Sequence, residues 1–266
     1  MTAALRILMV EAGAAPGHPD ALDLAEERRQ IDSALATAPY GQAIDIQALR
    51  AARREDFVEC LLPTPEVLHI SGHADSDGAL RFRTDDGGTT PVVRMGLSAL
   101  LLGLRPPPTL IFLNGCHTAD LAAEIVADDG CAIGVAGTIS NTAAVAFSRT
   151  FYSMVARGAS VASAHQMAQN ALLTYGATDR EQYRLIPGKN MEASACYLVP
   201  PEARPPSSPP GVKPRSFRPT GHDAKQRVIA LIDGSPDAVA GMRSLMSSTE
   251  FDIAITWMPI DGFSDL

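Results

Sequence analysis

Two short apolar runs, each leading into a reactive side chain, constrain this chain more than any other feature. Val67–Ser71 is followed by His73, and Thr109–Leu113 is followed by Cys116. Apolar runs of this length are typical of buried strands. Active sites of α/β proteins assemble where parallel strands end. The sequence therefore predicts a thiol and an imidazole at one edge of a sheet.

This pair of residue types indicates nucleophilic catalysis. An imidazole can take the proton of a thiol, and the thiolate can then attack a carbonyl carbon. Thr118 is predicted to cap a helix running to Ala127, whose positive end favours the thiolate form of Cys116. Two other readings stay open: Cys116 as a small buried apolar residue, and His73 as a turn histidine bonded to the backbone.

The other cysteines and the histidine inside the first run are interpreted as structural residues. His69 lies inside its predicted strand and is expected to fill space beneath the site. His117 could in principle act as the base, but the side chains of adjacent residues on a turn usually diverge, so His73 is preferred. The other cysteines are scattered without metal-ligand spacing and are interpreted as packing residues in a helix or strand: Cys60, Cys131 and Cys196. We therefore expect no metal ion and no cofactor.

Apolar runs alternate with helical periodicities along the first 199 residues. Strands are predicted at Arg6–Val10, Ala43–Ile46, Glu66–Ser71, Thr109–Leu113, Ala132–Val135 and Cys196–Val199, with a hairpin formed by Ala79–Arg83 and Thr90–Arg94. Helices are predicted at Ala21–Thr37, Arg50–Leu62, Leu97–Leu104, Thr118–Ala127, Asn141–Ala156 and Val161–Tyr175. This alternation predicts an α/β/α sandwich with a mostly parallel central sheet.

A proline-rich stretch divides the chain. Residues 200–225 are predicted to form an extended linker between a catalytic domain at 1–199 and a small segment at 226–266. That segment has a βαβ-like pattern, with strands Val228–Ile232 and Phe251–Trp257 around a helix at Pro236–Met246. About 40 residues are too few for a stable separate core. We expect a regulatory or partner-binding appendage, or a means of self-assembly.

Composition excludes several classes of function. A formal net charge of −8 argues against direct nucleic-acid binding. No apolar run approaches the roughly 18 residues of a membrane span, and no signal peptide is recognised. Cysteines without a disulfide pattern favour a reducing compartment, so a cytoplasmic location is expected.

Several segments, in order, resemble the CHAT domain, a bacterial relative of the caspases. The resemblance covers roughly residues 5–200. It is carried by Ile7–Val10, Leu24–Ile31, Leu68–His73, Phe112–Cys116, Ile133–Asn141, Ala146–Gly158 and Ser160–Ala171. It implies a caspase-like fold and a cysteine endopeptidase whose base is His73 and whose nucleophile is Cys116.

The resemblance also implies an oxyanion hole and a substrate pocket. The hole would consist of the backbone N–H groups of Cys116 and Ala74, where most relatives have glycine in place of the alanine. Asn114 and Asn141 would line the pocket for the residue before the scissile bond. Neither carries a charge, so no restriction to Arg or Lys is expected. Asp75, with Asp77 nearby, could still supply negative charge, although solvated Asx turns are the favoured reading.

Two functions follow. The first is an endopeptidase that cleaves a protein partner, in a bacterial conflict or antiviral defence system as the resemblance implies. The second is a regulatory caspase-like module that binds proteins without catalysis. The presence of both Cys116 and His73 favours the first, while Ala74 and Asn141 keep the second open.

Overall fold

The computed structural model of this protein describes residues 5–15, 17–18, 22–62, 64–174 and 178–199, and the backbone of 227–232 and 253–258. The chain divides into two compact units, Met1–Pro209 and Pro210–Leu266. The predicted proline-rich linker at 200–225 and the predicted helix Pro236–Met246 lie outside the described residues.

The first unit contains eight strands and six α-helices among its described residues. The strands are β1 Leu5–Ala12, β2 Ile44–Leu49, β3 Val67–Gly72, β4 Arg81–Arg83, β5 Thr89–Pro91, β6 Leu110–Asn114, β7 Cys131–Val135 and β8 Tyr183–Pro187. The helices are α1 Leu24–Ala36, α2 Arg54–Cys60, α3 Arg94–Leu102, α4 Ala119–Ile125, α5 Asn141–Val155 and α6 Val161–Thr174.

Six strands form one sheet in the order β2-β1-β3-β6-β7-β8. The first five run parallel and β8 is antiparallel to β7. Side chains alternate between two buried clusters, one shared with α1, α5 and α6 and the other with α2, α3 and α4. The predicted α/β/α sandwich is therefore confirmed, and the predicted hairpin is formed by β4 and β5.

The last predicted strand of this unit is wrong. Cys196–Val199 is not extended into the sheet, and the edge position belongs instead to β8. Cys196, Leu198 and Val199 are nonetheless buried, because this segment covers the core beside α6, where the Cys196 carbonyl accepts the Val161 N–H at 2.8 Å. Its apolar character reflects that burial and not strand pairing.

Two parallel strands are described in the second unit. β9 Arg227–Ile232 pairs with β10 Ile253–Met258, in a register that places Arg227 opposite Ile253. They overlap the strands predicted at Val228–Ile232 and Phe251–Trp257. In the described part of the chain, no helix is both long and apolar enough to cross a membrane.

We expect a chain cut after Val199 to stay folded and keep a reactive Cys116, because it keeps every buried core residue described for the first unit. A chain cut after Ala193 should lose on the order of 4 kcal/mol from the burial of Leu198 and Val199. Urea unfolding and thiol alkylation measure both effects. Loss of folding in the longer product would place the boundary beyond residue 199.

Candidate active site

The ends of β3 and β6 lie side by side at the same height. Their register pairs Ser71 with Asn114. Beyond this pair, a Cβ atom on Gly115 would lie only 2.7 Å from the Gly72 carbonyl oxygen. The two backbones therefore touch immediately before His73 and Cys116. The two residues leave adjacent strands at the same edge of the sheet.

Cys116 lies in a tight turn between β6 and α4. It is half-buried, and its Sγ atom is 3.9 Å from the Ile139 carbonyl oxygen. His117 has a φ of 57°, an uncommon conformation for a non-glycine residue, and its N–H donates to the Gly137 carbonyl at 3.0 Å. The segment before α5 thus contacts the turn that carries Cys116 through two carbonyl groups.

Thr118 occupies the predicted N-cap position of α4 but does not cap the helix with its side chain. Its hydroxyl is fully buried and lies 2.8 Å from the Gly115 carbonyl oxygen and 3.1 Å from that of Leu113. The hydroxyl oxygen accepts the Val135 N–H at 3.1 Å. The predicted cap is therefore wrong in its bonding, because this hydroxyl is used by the strand ends. The helix also ends two residues early, at Ile125.

His73 is half-buried and belongs to a loop that returns to β4. Its carbonyl accepts the Arg81 N–H at 3.0 Å. Within this loop Gly78 has a φ of 79°, and a Cβ atom there would lie 2.6 Å from the His117 carbonyl oxygen. The loop after the histidine therefore packs directly on the turn that carries the cysteine.

The backbone N–H groups of Ala74 and Cys116 are free of backbone acceptors among the described residues. Ala74 pairs with Leu80 in an isolated bridge, and the flanking bonds are Asp75 N–H to Ala79 and Arg81 N–H to His73, each 3.0 Å long. Ala74 thus occupies a non-hydrogen-bonded position. Its φ is not positive. Replacing the glycine of relatives by alanine therefore creates no backbone strain here.

A buried carboxylate lies beside the end of β6. Glu27 of α1 is 2% exposed, and its Oε1 accepts hydrogen bonds from Asn114 Nδ2 at 2.7 Å and Ser148 Oγ at 2.6 Å. The Tyr183 hydroxyl donates to Asn114 Oδ1 at 2.8 Å. Asn114, two residues before Cys116, is therefore held by side chains from α1, α5 and β8.

His69 continues this network on β3. Its Nε2 lies 2.8 Å from Ser71 Oγ and 3.4 Å from Glu27 Oε1, and its Nδ1 lies 3.0 Å from the Tyr152 hydroxyl. The ring also stacks on Phe112, with centroids 4.4 Å apart. His69 is completely buried, which agrees with the structural role predicted for it.

The charge of Glu27 affects its neighbours. Burial acts to raise the pKa of Glu27, but contacts with His69, Ser148 and Ser71 outweigh it and hold that pKa below its usual value. Burial and the negative charge of Glu27 raise the pKa of Tyr152. The carboxylate therefore stays ionised inside the protein. Its hydrogen bonds are donated by neighbouring side chains in place of water.

The residues predicted to line a substrate pocket lie in separate places. Asn114 is 4% exposed and faces the buried network. Asp75 is paired with Arg81 at 2.9 Å, and Asp77 accepts the Ala79 N–H in an Asx turn. Asn141 begins α5 and is exposed beside a cavity of about 250 Å³ between α1 and α5. Asn141 lines this cavity together with Glu26, Gln30 and Arg149.

The other cysteines differ from Cys116 in their surroundings. Cys131 and Cys196 are buried, and a hydrogen bond with Cys196, together with burial, raises the pKa of the Cys131 thiol. Cys60 is half-buried in α2. Among the described residues, no three His, Cys, Asp or Glu side chains converge as a metal site.

The sequence pattern alone did not predict the buried partners Glu27, Ser148 and Tyr183, or the role of the Thr118 hydroxyl. For Glu27 a signal was available, because it shares the buried face of α1 with Ile31 and Ala34 at helical spacing. A carboxylate on an apolar face needs buried partners. The spacing could have identified Glu27, although not its partners.

We expect Glu27→Leu to destabilise the protein by about 3–5 kcal/mol, because the Ser148 hydroxyl would lose its buried acceptor and Asn114 Nδ2 would keep only Ser148 Oγ and the Ala144 carbonyl. Urea unfolding measures the change. Glu26→Gln on the exposed side of the same helix should have little effect. An equal loss of unfolding free energy in Glu27→Leu and Glu26→Gln would contradict the role of Glu27 as a buried acceptor.

The pH dependence of stability provides a second test. Because the pKa of Glu27 is lower in the folded protein than in the unfolded chain, its stabilisation is complete above about pH 4.3 and is lost as pH falls. The free energy of unfolding should therefore fall more steeply in acid for the wild type than for Glu27→Gln. Parallel pH curves would show that the pKa of Glu27 does not fall on folding, which contradicts the account.

The family model of the CHAT domain matches residues 14–207. Among the solved structures that match is the Arg-specific cysteine proteinase gingipain R, with 11% sequence identity and a TM-score of 0.48. The alignment covers 70% of this chain and 46% of that protein. No curated protein matches this sequence. Since the family model spans more than half of its residues, the chain belongs to the CHAT domain family, with a caspase-like fold.

Proposed function

We propose that this protein is a cysteine endopeptidase that cleaves a protein partner through a dyad of Cys116 and His73. The observation that carries the proposal is the register of β3 and β6, which pairs Ser71 with Asn114. Because both strands end at this point, His73 and Cys116 follow from neighbouring strands at the same edge of the sheet. Beside them, the N–H groups of Ala74 and Cys116 have no backbone acceptor among the described residues.

Each part of this arrangement has a role in peptide-bond cleavage. His73 takes the Cys116 proton, and the thiolate attacks the scissile carbonyl carbon. The oxygen that becomes negative accepts hydrogen bonds from Ala74 N–H and Cys116 N–H. His73 then protonates the departing amine, leaving a thioester on the cysteine. Water activated by His73 hydrolyses the thioester and restores the thiol.

The setting proposed for this activity is the bacterial cytoplasm. All four cysteines are free thiols, as expected in a reducing compartment. The target would be a protein, and the membership in the CHAT family supports a role in conflict or defence. Residues 226–266 would bind a regulatory partner or mediate self-assembly, because so short a segment cannot bury its own apolar strands.

We expect Cys116→Ala and His73→Ala each to lower cleavage by at least about 100-fold, since each removes one half of the dyad. Cleavage of a peptide library and iodoacetamide labelling, read by mass spectrometry, are the measurements. Cys60→Ala and His117→Asn are matched controls, and Asn tolerates the positive φ at residue 117. Full cleavage by Cys116→Ala would reject the nucleophile. A wild type that labels at Cys116 but cleaves nothing would favour the binding-module alternative.

We predict that the residue before the scissile bond is not restricted to Arg or Lys. Asn141 carries no charge, and the charge of Asp75 is already paired with Arg81. A peptide library that varies this position should give cleavage after several uncharged residues. Strict cleavage after basic residues would show that another carboxylate lines the pocket.

A further inference from the structure

Thr118 is linked to the reacting cysteine through a single peptide plane. Its hydroxyl is 2.8 Å from the Gly115 carbonyl oxygen. That carbonyl and the Cys116 N–H belong to the same planar trans peptide unit, so the direction of one fixes the direction of the other. A hydrogen bond that holds the Gly115 carbonyl therefore also aims the Cys116 N–H.

The hydroxyl itself is oriented by its neighbours. Its oxygen accepts the Val135 N–H of β7 at 3.1 Å, so its own hydrogen is left to point toward the carbonyls of Gly115 and Leu113. Thr118 is 0% exposed, so water has no access to replace this bond. One buried hydroxyl thus connects β7, the end of β6 and the nucleophile turn.

The chain on both sides of this peptide plane is also fixed. On one side Gly115 packs against the Gly72 carbonyl, and on the other the His117 N–H is held by the Gly137 carbonyl at 3.0 Å. The movement that remains is a rotation of the Gly115–Cys116 peptide plane about the axis between these two points. The hydrogen bond from the Thr118 hydroxyl to the Gly115 carbonyl opposes that rotation.

We propose that Thr118 is a positioning residue that aims the Cys116 N–H at the oxygen that becomes negative during acyl transfer. The proposal rests on the proposed function, because it assigns a purpose to the Cys116 N–H in that reaction. Misalignment of such a donor weakens an interaction made only in the transition state. Thr118 should therefore affect acyl transfer but not the intrinsic reactivity of the thiol.

Two small reagents separate these effects without knowledge of the natural target. With p-nitrophenyl acetate, the thiolate attacks the acetyl carbon through a negatively charged tetrahedral intermediate, a thioester forms and p-nitrophenolate leaves. With iodoacetamide, the thiolate displaces iodide directly, and no oxyanion forms. Only the first reaction uses the aimed N–H. The ratio of the two rates at Cys116, after subtraction of the Cys116→Ala background, is the quantity measured.

We expect Thr118→Val to lower the acylation rate by about 10-fold or more while the alkylation rate stays within about 2-fold of wild type. Thr118→Ser keeps the hydroxyl and should restore the ratio. If Thr118→Val does not fold by circular dichroism, the ratio is measured in Thr118→Ala. Equal acylation in wild type and variant would overturn the role of Thr118, as would an equal loss with both reagents. A wild type that acylates no faster than Cys116→Ala would overturn the proposed function itself.

Discussion

The pairing of Ser71 with Asn114 across β3 and β6 is the contact on which the site depends. Parallel pairing in this register ends both strands at one height, so the next residues of both chains emerge together. A slip of one residue would reverse which face each side chain occupies. It would move Asn114 out of its buried network. The same register that buries the core therefore also brings the backbone to His73 and to Cys116 at one edge of the sheet.

Near this pair of residues, an ionised carboxylate, that of Glu27, is buried in the interior of the protein. Glu27 is buried among donors from three elements, and its hydrogen bonds offset the loss of hydration. The network includes Asn114 but does not reach the sulfur of Cys116, whose turn is held separately by Thr118. Two sets of buried hydrogen bonds therefore support the turn that carries Cys116, one made by Asn114 before it in the chain and one by Thr118 after it. This separation allows the effect of each set to be measured alone.

Most of the fold followed from periodicity in the sequence. The strands that lead to His73 and Cys116 were predicted because fully buried parallel strands appear as short apolar runs. Elements at the edge of the sheet were harder to predict. β8 contains Arg184 and a proline and is not a short apolar run, whereas Cys196–Val199 is such a run and does not form a strand. Asn114 was expected in a substrate pocket, but its orientation depends on Glu27 and Tyr183, which lie 87 and 69 residues away. Contacts between residues so far apart in the chain leave no local pattern in the sequence from which they could be predicted.

A crystal structure of the protein bearing a short peptide aldehyde on Cys116 would test the central claim most directly. The thiolate adds to the aldehyde carbon, so the resulting oxygen occupies the place of the oxyanion. The account predicts this oxygen at about 2.7–3.1 Å from both Ala74 N and Cys116 N, with a ring nitrogen of His73 on the sulfur side of the same carbon. An oxygen directed away from both N–H groups, or a His73 ring on the opposite face of the sheet, would contradict it.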